Sequence, residues 1–168
     1  MTNTTISYGV ARKYAPDLKN YIERLRQNRI DAFEIGFAYG IPSSLDKDTI
    51  VAARRSRVAL SCHLPFWINV GNDKRDKNIE YLVAGLKIAH QLGSVAVFHL
   101  GFYGGKLFEE LMPSIVSVLQ EVAYKAGPGT GRLGIETTGK QKALGTINEI
   151  CTILSEIRDE RFIPIIDW

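Results

Sequence analysis

Four residues whose side chains can bind metals hold equivalent places in the sequence. They are His63, His99, Glu136 and Asp167, and each ends a short run of β-branched and other apolar residues. The carboxyl ends of parallel strands meet at one edge of a sheet, with neighbouring strands roughly 4.8 Å apart, so side chains at these ends can converge. Two imidazoles and one carboxylate suit a catalytic zinc that keeps one position open for water. The sequence therefore predicts a zinc site made by the first three residues.

Asp167 allows a second metal beside the first. Glu136 and Asp167 together can hold that ion, and two metals about 3.5–4 Å apart activate a hydroxide and clamp the attacking and leaving oxygens of a phosphodiester displacement. A single polar residue at a strand end is more often a hydrogen-bonding partner of its loop, but four in succession favour a site. The third histidine, His90, falls inside a helical segment and is predicted to be structural.

Alternating strand and helix segments position these residues. The strands are predicted at Thr5–Val10, Ala32–Gly36, Val58–His63, Val95–His99, Leu133–Glu136 and Phe162–Asp167. Amphipathic helices are predicted at Leu18–Asn28, Lys47–Ser56, Lys74–Leu92, Leu107–Lys125 and Thr146–Arg158. We expect Gly93 to end the third helix, and Thr146 with Glu149 to form a capping box at the start of the fifth.

This alternation predicts an α/β fold of the (β/α)₈ TIM-barrel type, with parallel strands and one domain over residues 1–168. A closed barrel needs eight units and about 250 residues, whereas this sequence supplies about six units. An apolar last strand leaves unpaired backbone along an edge, which complete proteins usually avoid. We therefore expect an incomplete barrel from a C-terminally truncated or partial sequence.

Composition favours a globular cytoplasmic protein. Hydrophobic residues make up 45% of the chain and charged residues 23%, which is typical of a domain that buries a core. No apolar run approaches the roughly 18 residues of a membrane span, so no membrane association is expected. Cys62 and Cys151 are too few and too far apart for a disulfide framework. The formal charge of +3 permits an anionic partner without requiring one, and nothing indicates an obligate protein partner.

Five segments around the candidate ligands carry a resemblance to a known family. They are Phe33–Gly40, Ser61–Asn69, Phe98–Gly105, Ile135–Lys140 and Ile166–Asp167. Together they resemble the endonuclease IV family (AP endonuclease family 2, with a xylose-isomerase-like TIM barrel), particularly its archaeal-type branch. The similarity runs from about residue 30 to the end of the sequence, and the segment with His, Pro, an aromatic residue, Ile and Asn is fairly specific.

The resemblance implies a trinuclear zinc site that hydrolyses the DNA backbone on the 5′ side of an abasic site. It implies that His63 and His99 bind one zinc, that Glu136 is the catalytic ligand bridging to a second zinc, and that Asp167 binds that second ion. The family's later ligands, a histidine soon after the sixth-strand aspartate and further residues from the last two strands, are not in this sequence.

The same resemblance implies contacts with double-stranded DNA that contains abasic sites. Phe66 stands where the family usually has a tyrosine that inserts into the duplex beside the lesion, and an aromatic wedge there can unstack bases. Asn69, at the end of the same segment, is also assigned to DNA binding. Lys140, in the loop after Glu136, is predicted to contact a phosphate.

Two other functions remain open from the sequence. A sugar isomerase or epimerase on the xylose-isomerase-like barrel also places Glu, Asp and His at strand ends around a divalent metal. The two histidines on adjacent strands and the aromatic residue after the first favour the nuclease. The third alternative is a non-catalytic barrel fragment.

Overall fold

Residues 8–167 are described by the structure, which is a computed structural model. The strands are β1 (Gly9–Lys13), β2 (Ala32–Gly36), β3 (Ala59–His63), β4 (Val95–Phe98), β5 (Arg132–Glu136) and β6 (Phe162–Ile165). The helices are α1 (Leu18–Gln27), α2 (Lys47–Ser56), α3 (Arg75–Leu92), α4 (Phe108–Ala126) and α5 (Ile147–Ile157).

All neighbouring strands are parallel, and they lie in the sheet in chain order from β1 to β6. One helix connects each strand to the next along the chain, so each strand and the helix after it form a β/α unit of the kind that builds a TIM barrel. The predicted fold class is therefore confirmed: six parallel strands alternating with helices form part of a barrel of the TIM type.

The hydrophobic core lies between the sheet and the helices. Ile35, Cys62, Phe98 and Ile135 come from four neighbouring strands and are completely buried. Because successive side chains of a strand point to opposite faces, the residues on either side of them face the interior of the barrel. The helical layer thus fixes which side chains reach the barrel mouth.

Helix ends follow the local signals in the sequence. Asp46 caps α2 by accepting a hydrogen bond from the Thr49 backbone at 2.8 Å. The predicted capping box of α5 is present, since Thr146 and Glu149 bond each other's backbone N–H groups. Gly93 ends α3 with a φ of 65°, a left-handed conformation that suits glycine.

The first strand lies further along the chain than predicted. Thr5, Ile6 and Ser7 lie outside the described residues, and β1 extends past Val10 to Lys13. The charged side chains of Arg12 and Lys13 argue against a strand by pattern alone. They are accommodated because β1 has β2 as its one neighbour in the described sheet and leaves both side chains access to solvent.

Two strands end earlier than predicted. The pairing of β4 stops at Phe98 and that of β6 at Ile165, so His99 and Asp167 lie in the loops that follow. In the described part of the chain, no helix combines the length and apolarity needed to cross a membrane.

Candidate metal centre

Three consecutive strands bring polar side chains to one point at the barrel mouth. His63 is the last residue of β3, His99 follows β4 directly, and Glu136 is the last residue of β5. The residue before each of them is completely buried against the helical layer. Strand alternation therefore turns the two imidazoles and the carboxylate into the barrel interior.

The three side chains share one carboxylate oxygen. His63 Nε2 and His99 Nε2 each lie 3.1 Å from Glu136 Oε2. The two imidazole rings are tilted, with their centroids 5.3 Å apart. This is the one group of three or more possible metal-ligating side chains found among residues 8–167, and its ligand atoms all lie within 4.8 Å of one another.

Backbone contacts orient the His63 ring. Its Nδ1 lies 2.8 Å from the Leu64 carbonyl oxygen, which can only accept, so Nδ1 carries the proton and donates. Its Nε2 faces a second acceptor, Glu136 Oε2. The hydrogen bond to Glu136 consequently raises the pKa of His63 above its ordinary value, while burial acts in the opposite direction.

His99 has the opposite electrostatic setting. Burial is the main reason that its pKa lies below the ordinary value, and the neighbouring His63 lowers it further, while Glu136 opposes the shift. Its Nδ1 is buried and has no hydrogen-bond partner within the described segment. The pKa of Glu136 is lowered, chiefly by the hydrogen bond from His63. These shifts favour a neutral His99 beside an ionised Glu136, which are the protonation states that metal ligands need.

The donor set fits a divalent metal such as zinc. Ligands at about 2.0–2.1 Å from a tetrahedral ion stand roughly 3.3 Å from one another, and the two nitrogen-to-oxygen distances of 3.1 Å are close to that value. The donors leave the remaining coordination position for water or substrate. Cys62, next to His63, is not part of the set, because its side chain points from β3 toward the helical layer and burial raises the pKa of its thiol to about 12.

Asp167 lies beside this cluster without joining it. The backbone N–H of Asp167 donates a hydrogen bond to Thr137 Oγ1 at 2.9 Å, and Asp167 is exposed. It lines a cleft of about 330 Å³ together with His99, Lys140 and Phe66. Asp167, the fourth predicted ligand, therefore lines a cleft next to His99 but is not one of the three converging donors.

The residues predicted to contact DNA divide into two groups. Phe66 is 72% exposed and packs edge-on against Trp67, with ring centroids 5.3 Å apart. Lys140 is exposed and lines the same cleft as Phe66. Both are thus open to a ligand lying over the metal centre.

Asn69 has a different environment. It is half-buried, and its Oδ1 accepts a hydrogen bond from the Gly71 backbone at 3.1 Å. Its backbone is held by Asn78, whose Nδ2 donates to the Asn69 carbonyl at 2.7 Å. A β-carbon on Gly101 would overlap the Asn69 carboxamide. Asn69 therefore packs its own loop against the loop that contains Gly101.

Lys13 also faces the mouth, although the sequence did not single it out. It pairs in register with Gly36, which in turn pairs with His63. The alternation of side chains along β1 would have indicated Lys13, but the first strand was predicted to end at Val10, before this residue.

Comparison with known proteins gives the family and the fold. The family described as xylose isomerase-like TIM barrel matches residues 22–168. No curated protein is significantly similar to this chain in sequence.

Several solved structures are similar to this one. Endonuclease IV from Thermus thermophilus superposes with a TM-score of 0.73 and 20% identity, over 96% of this chain and 62% of that chain. D-psicose 3-epimerase from Clostridium cellulolyticum, crystallised with D-tagatose, superposes with a TM-score of 0.76 and 16% identity, over 96% of this chain and 63% of that chain. An AP endonuclease of family 2 from Brucella melitensis superposes with a TM-score of 0.67 and 10% identity, over 95% of this chain and 67% of that chain. At these identities the likeness shows the fold alone, and this chain spans about three-fifths of the length of the first two.

Proposed function

We propose that this chain, which belongs to the xylose isomerase-like TIM barrel family, acts as a zinc-dependent endonuclease that cleaves the DNA backbone on the 5′ side of abasic sites. The observation that carries the proposal is the convergence of His63 and His99 on one oxygen of Glu136, at 3.1 Å each. Two imidazoles and a carboxylate at the open mouth of a barrel suit a hydrolytic metal with a free position.

A zinc ion held by these residues supplies Lewis-acid activation of a water molecule and of a phosphoryl oxygen. The chain's own groups supply orientation. The Leu64 carbonyl fixes the His63 ring, so that Nε2 points at the site. Glu136, with its lowered pKa, stays ionised at neutral pH and holds the two imidazoles in place.

The surroundings of the centre suit a nucleic acid. The cleft of about 330 Å³ beside His99 is lined by a cation, Lys140, and by the exposed ring of Phe66. A lysine ammonium can hold a backbone phosphate, and an exposed aromatic ring can stack where a base is missing. We assign the abasic duplex as substrate because Lys140 and Phe66 lie together beside the metal centre.

A second candidate, a divalent-metal-dependent sugar isomerase or epimerase, is favoured by one observation. Glu136 ends β5 and Asp167 follows the neighbouring β6 by two residues, and paired carboxylates also suit a metal that binds sugar hydroxyls. The two converging imidazoles favour the nuclease, because a harder oxygen-rich set would suit a sugar-binding metal better.

The test compares both reactions on one protein preparation. A labelled duplex with a single abasic site, an undamaged duplex of the same sequence, and D-tagatose or D-fructose are incubated with zinc-loaded protein, with chelator-treated protein and with Glu136→Gln. We expect incision of the abasic duplex by the zinc-loaded protein alone. Epimerised sugar without incision would support the second candidate, and neither product would contradict both.

A further inference from the structure

Lys13 ends β1 and faces the barrel mouth two strands away from His63. The register pairs Lys13 with Gly36, and Gly36 with His63. Arg12, the preceding residue, points outward, where its guanidinium lies 4.6 Å from the Tyr21 ring of α1. Alternation therefore places Lys13 on the inner face, and its Cα stands about 10 Å from that of His63, since two strand spacings separate them.

Gly36 keeps the space between Lys13 and the metal centre open. A cleft of about 310 Å³ is bounded there by Lys13, His63 and Phe66. A β-carbon on Gly36 would meet nothing closer than the Arg12 carbonyl oxygen at 3.7 Å and Lys13 Cα at 3.8 Å, both ordinary contacts. Neither packing nor the backbone conformation requires glycine here, and a larger side chain would occupy part of the cleft.

Within the described chain, the ammonium group of Lys13 is held by a phenol and not by a carboxylate. Lys13 Nζ donates to Tyr39 Oη at 3.3 Å and lies 5.1 Å from the centroid of that ring. No carboxylate among residues 8–167 lies within ion-pair distance of Lys13 Nζ. Glu34, which also lines the cleft, accepts a hydrogen bond from Ser61 Oγ at 3.1 Å. A lysine that is oriented by a phenol rather than neutralised by a carboxylate retains its charge for an anion.

We propose that Lys13 and Tyr39 form a phosphate subsite on the β1 side of the metal centre. The inference rests on the proposed function, and it assigns this subsite to a backbone phosphate next along the strand from the one being cleaved. Lys13 supplies an ammonium and Tyr39 a phenolic O–H, and both can donate to phosphate oxygens. The DNA strand then crosses the mouth from Lys13, over Gly36 and the metal centre, to Lys140 on the far side.

The first measurement is duplex binding by fluorescence anisotropy across a series of salt concentrations. The proteins are the parent, Lys13→Gln, Lys13→Arg and the control Lys87→Gln, which removes an exposed lysine from the outer helix α3. Lys13→Gln should weaken binding about tenfold and reduce the slope of log affinity against log salt by about 0.9, the value for one lost phosphate contact. Lys13→Arg should restore both quantities, and Lys87→Gln should change neither.

The second measurement separates this subsite from the proposed function. Phosphorus NMR line broadening of inorganic phosphate is recorded on chelator-treated protein, so that the metal centre cannot contribute. We expect broadening that Lys13→Gln abolishes and that Gly36→Val, which fills the cleft, also reduces. If the parent binds no abasic duplex while this Lys13-dependent broadening persists, the proposed function falls and the subsite stands.

Two results would overturn the subsite. One is phosphate broadening that is absent from the parent or equal in Lys13→Gln. The other is a duplex salt slope that Lys13→Gln leaves unchanged or that Lys87→Gln lowers equally. Lys13 would then contribute only to the overall electrostatic potential of the protein surface and not to a specific phosphate contact.

Discussion

His99 Nε2 lies 3.1 Å from Glu136 Oε2, while His99 Nδ1 is buried and has no hydrogen-bond partner in the segment that the structure describes. The ring thus has one nitrogen directed at the carboxylate and none of the backbone anchoring that His63 receives from Leu64. A metal ion would stabilise this arrangement, because it would bind Nε2 and tie both rings to the carboxylate.

The variant His99→Ala should lose most of its bound zinc and most of its phosphodiesterase activity. Removing an imidazole from a three-residue ligand set should weaken metal affinity by on the order of a hundredfold or more, since even changes to the groups that hydrogen-bond the ligands cost 10–100-fold. Zinc content after exhaustive dialysis measures the effect. His90→Ala is the matched control, because that histidine is exposed on α3. Equal zinc content in the two variants would show that His99 is not a metal ligand.

Phe66→Ala should weaken binding to the abasic duplex and leave the melting temperature nearly unchanged. The ring is 72% exposed, so truncation removes little buried area. Loss of a stacking aromatic costs about 1–3 kcal/mol, which corresponds to roughly five- to a hundred-fold in affinity. Anisotropy at fixed salt and a thermal melt measure the two quantities.

Two aromatic variants serve as controls for Phe66→Ala. Tyr124→Ala removes an 87% exposed ring from α4 and should change neither affinity nor stability. Phe98→Ala removes a completely buried ring and should cost about 3–5 kcal/mol of stability. If Phe66→Ala resembles Phe98→Ala, the ring belongs to the packing and the wedge assignment is wrong.

Asn69→Ala should lower stability and leave affinity for the duplex unchanged. The Asn69 carboxamide oxygen accepts a hydrogen bond from the Gly71 N–H at 3.1 Å, and losing one such bond costs about 1 kcal/mol. In a domain of this size that corresponds to a fall of about 2–4 °C in melting temperature. Asn148→Ala, at an exposed position of α5, serves as the control. A weakened duplex affinity with an unchanged melt would instead support the assignment of Asn69 to DNA binding.

The metal-free protein should gain stability from the His63–Glu136 pair over a limited pH range. The pKa of His63 is raised above 6.5 and that of Glu136 is lowered below 4.5, each mainly by their hydrogen bond. The histidine contribution is present below 6.5 and is lost as pH rises through the folded-state pKa. The glutamate contribution is present above 4.5 and is lost as pH falls through its folded-state pKa. The pair therefore stabilises the fold most between these two values.

Thermal melts in chelator measure this contribution as the difference between the parent and Glu136→Gln. We expect the parent to melt higher at about pH 5.5 and the difference to shrink by about pH 8.5. The lowered pKa of His99 acts in the opposite sense, because burial disfavours its charged form. A difference that grows with pH would show that the ion pair is not the stabilising contact.

The fold and the placement of three site residues could be predicted from the sequence because they depend on local patterns. Apolar runs alternating with amphipathic segments specify β/α units, and parallel strands place their carboxyl ends together. His63 and Glu136 end their strands as expected, and His99 follows its strand by one residue. None of these placements requires knowledge of a distant contact.

Lys13 and Asn69 could not be placed in this way. The extent of β1 depends on its pairing with β2, where Gly9 approaches so closely that a β-carbon would stand 2.9 Å from the Ala32 carbonyl oxygen. The environment of Asn69 depends on Gly101, thirty-two positions away in the chain. A motif gives the identity of such residues, whereas only the folded loops determine whether their side chains face a ligand or one another.

The most direct test of the metal centre is a zinc-edge anomalous diffraction map of crystals grown with zinc. We predict a peak within about 2.0–2.2 Å of His63 Nε2, His99 Nε2 and a Glu136 carboxylate oxygen, with no sulfur ligand. A stoichiometric zinc bound elsewhere, such as at the exposed Cys151, or crystals with no ordered zinc at this point, would contradict it.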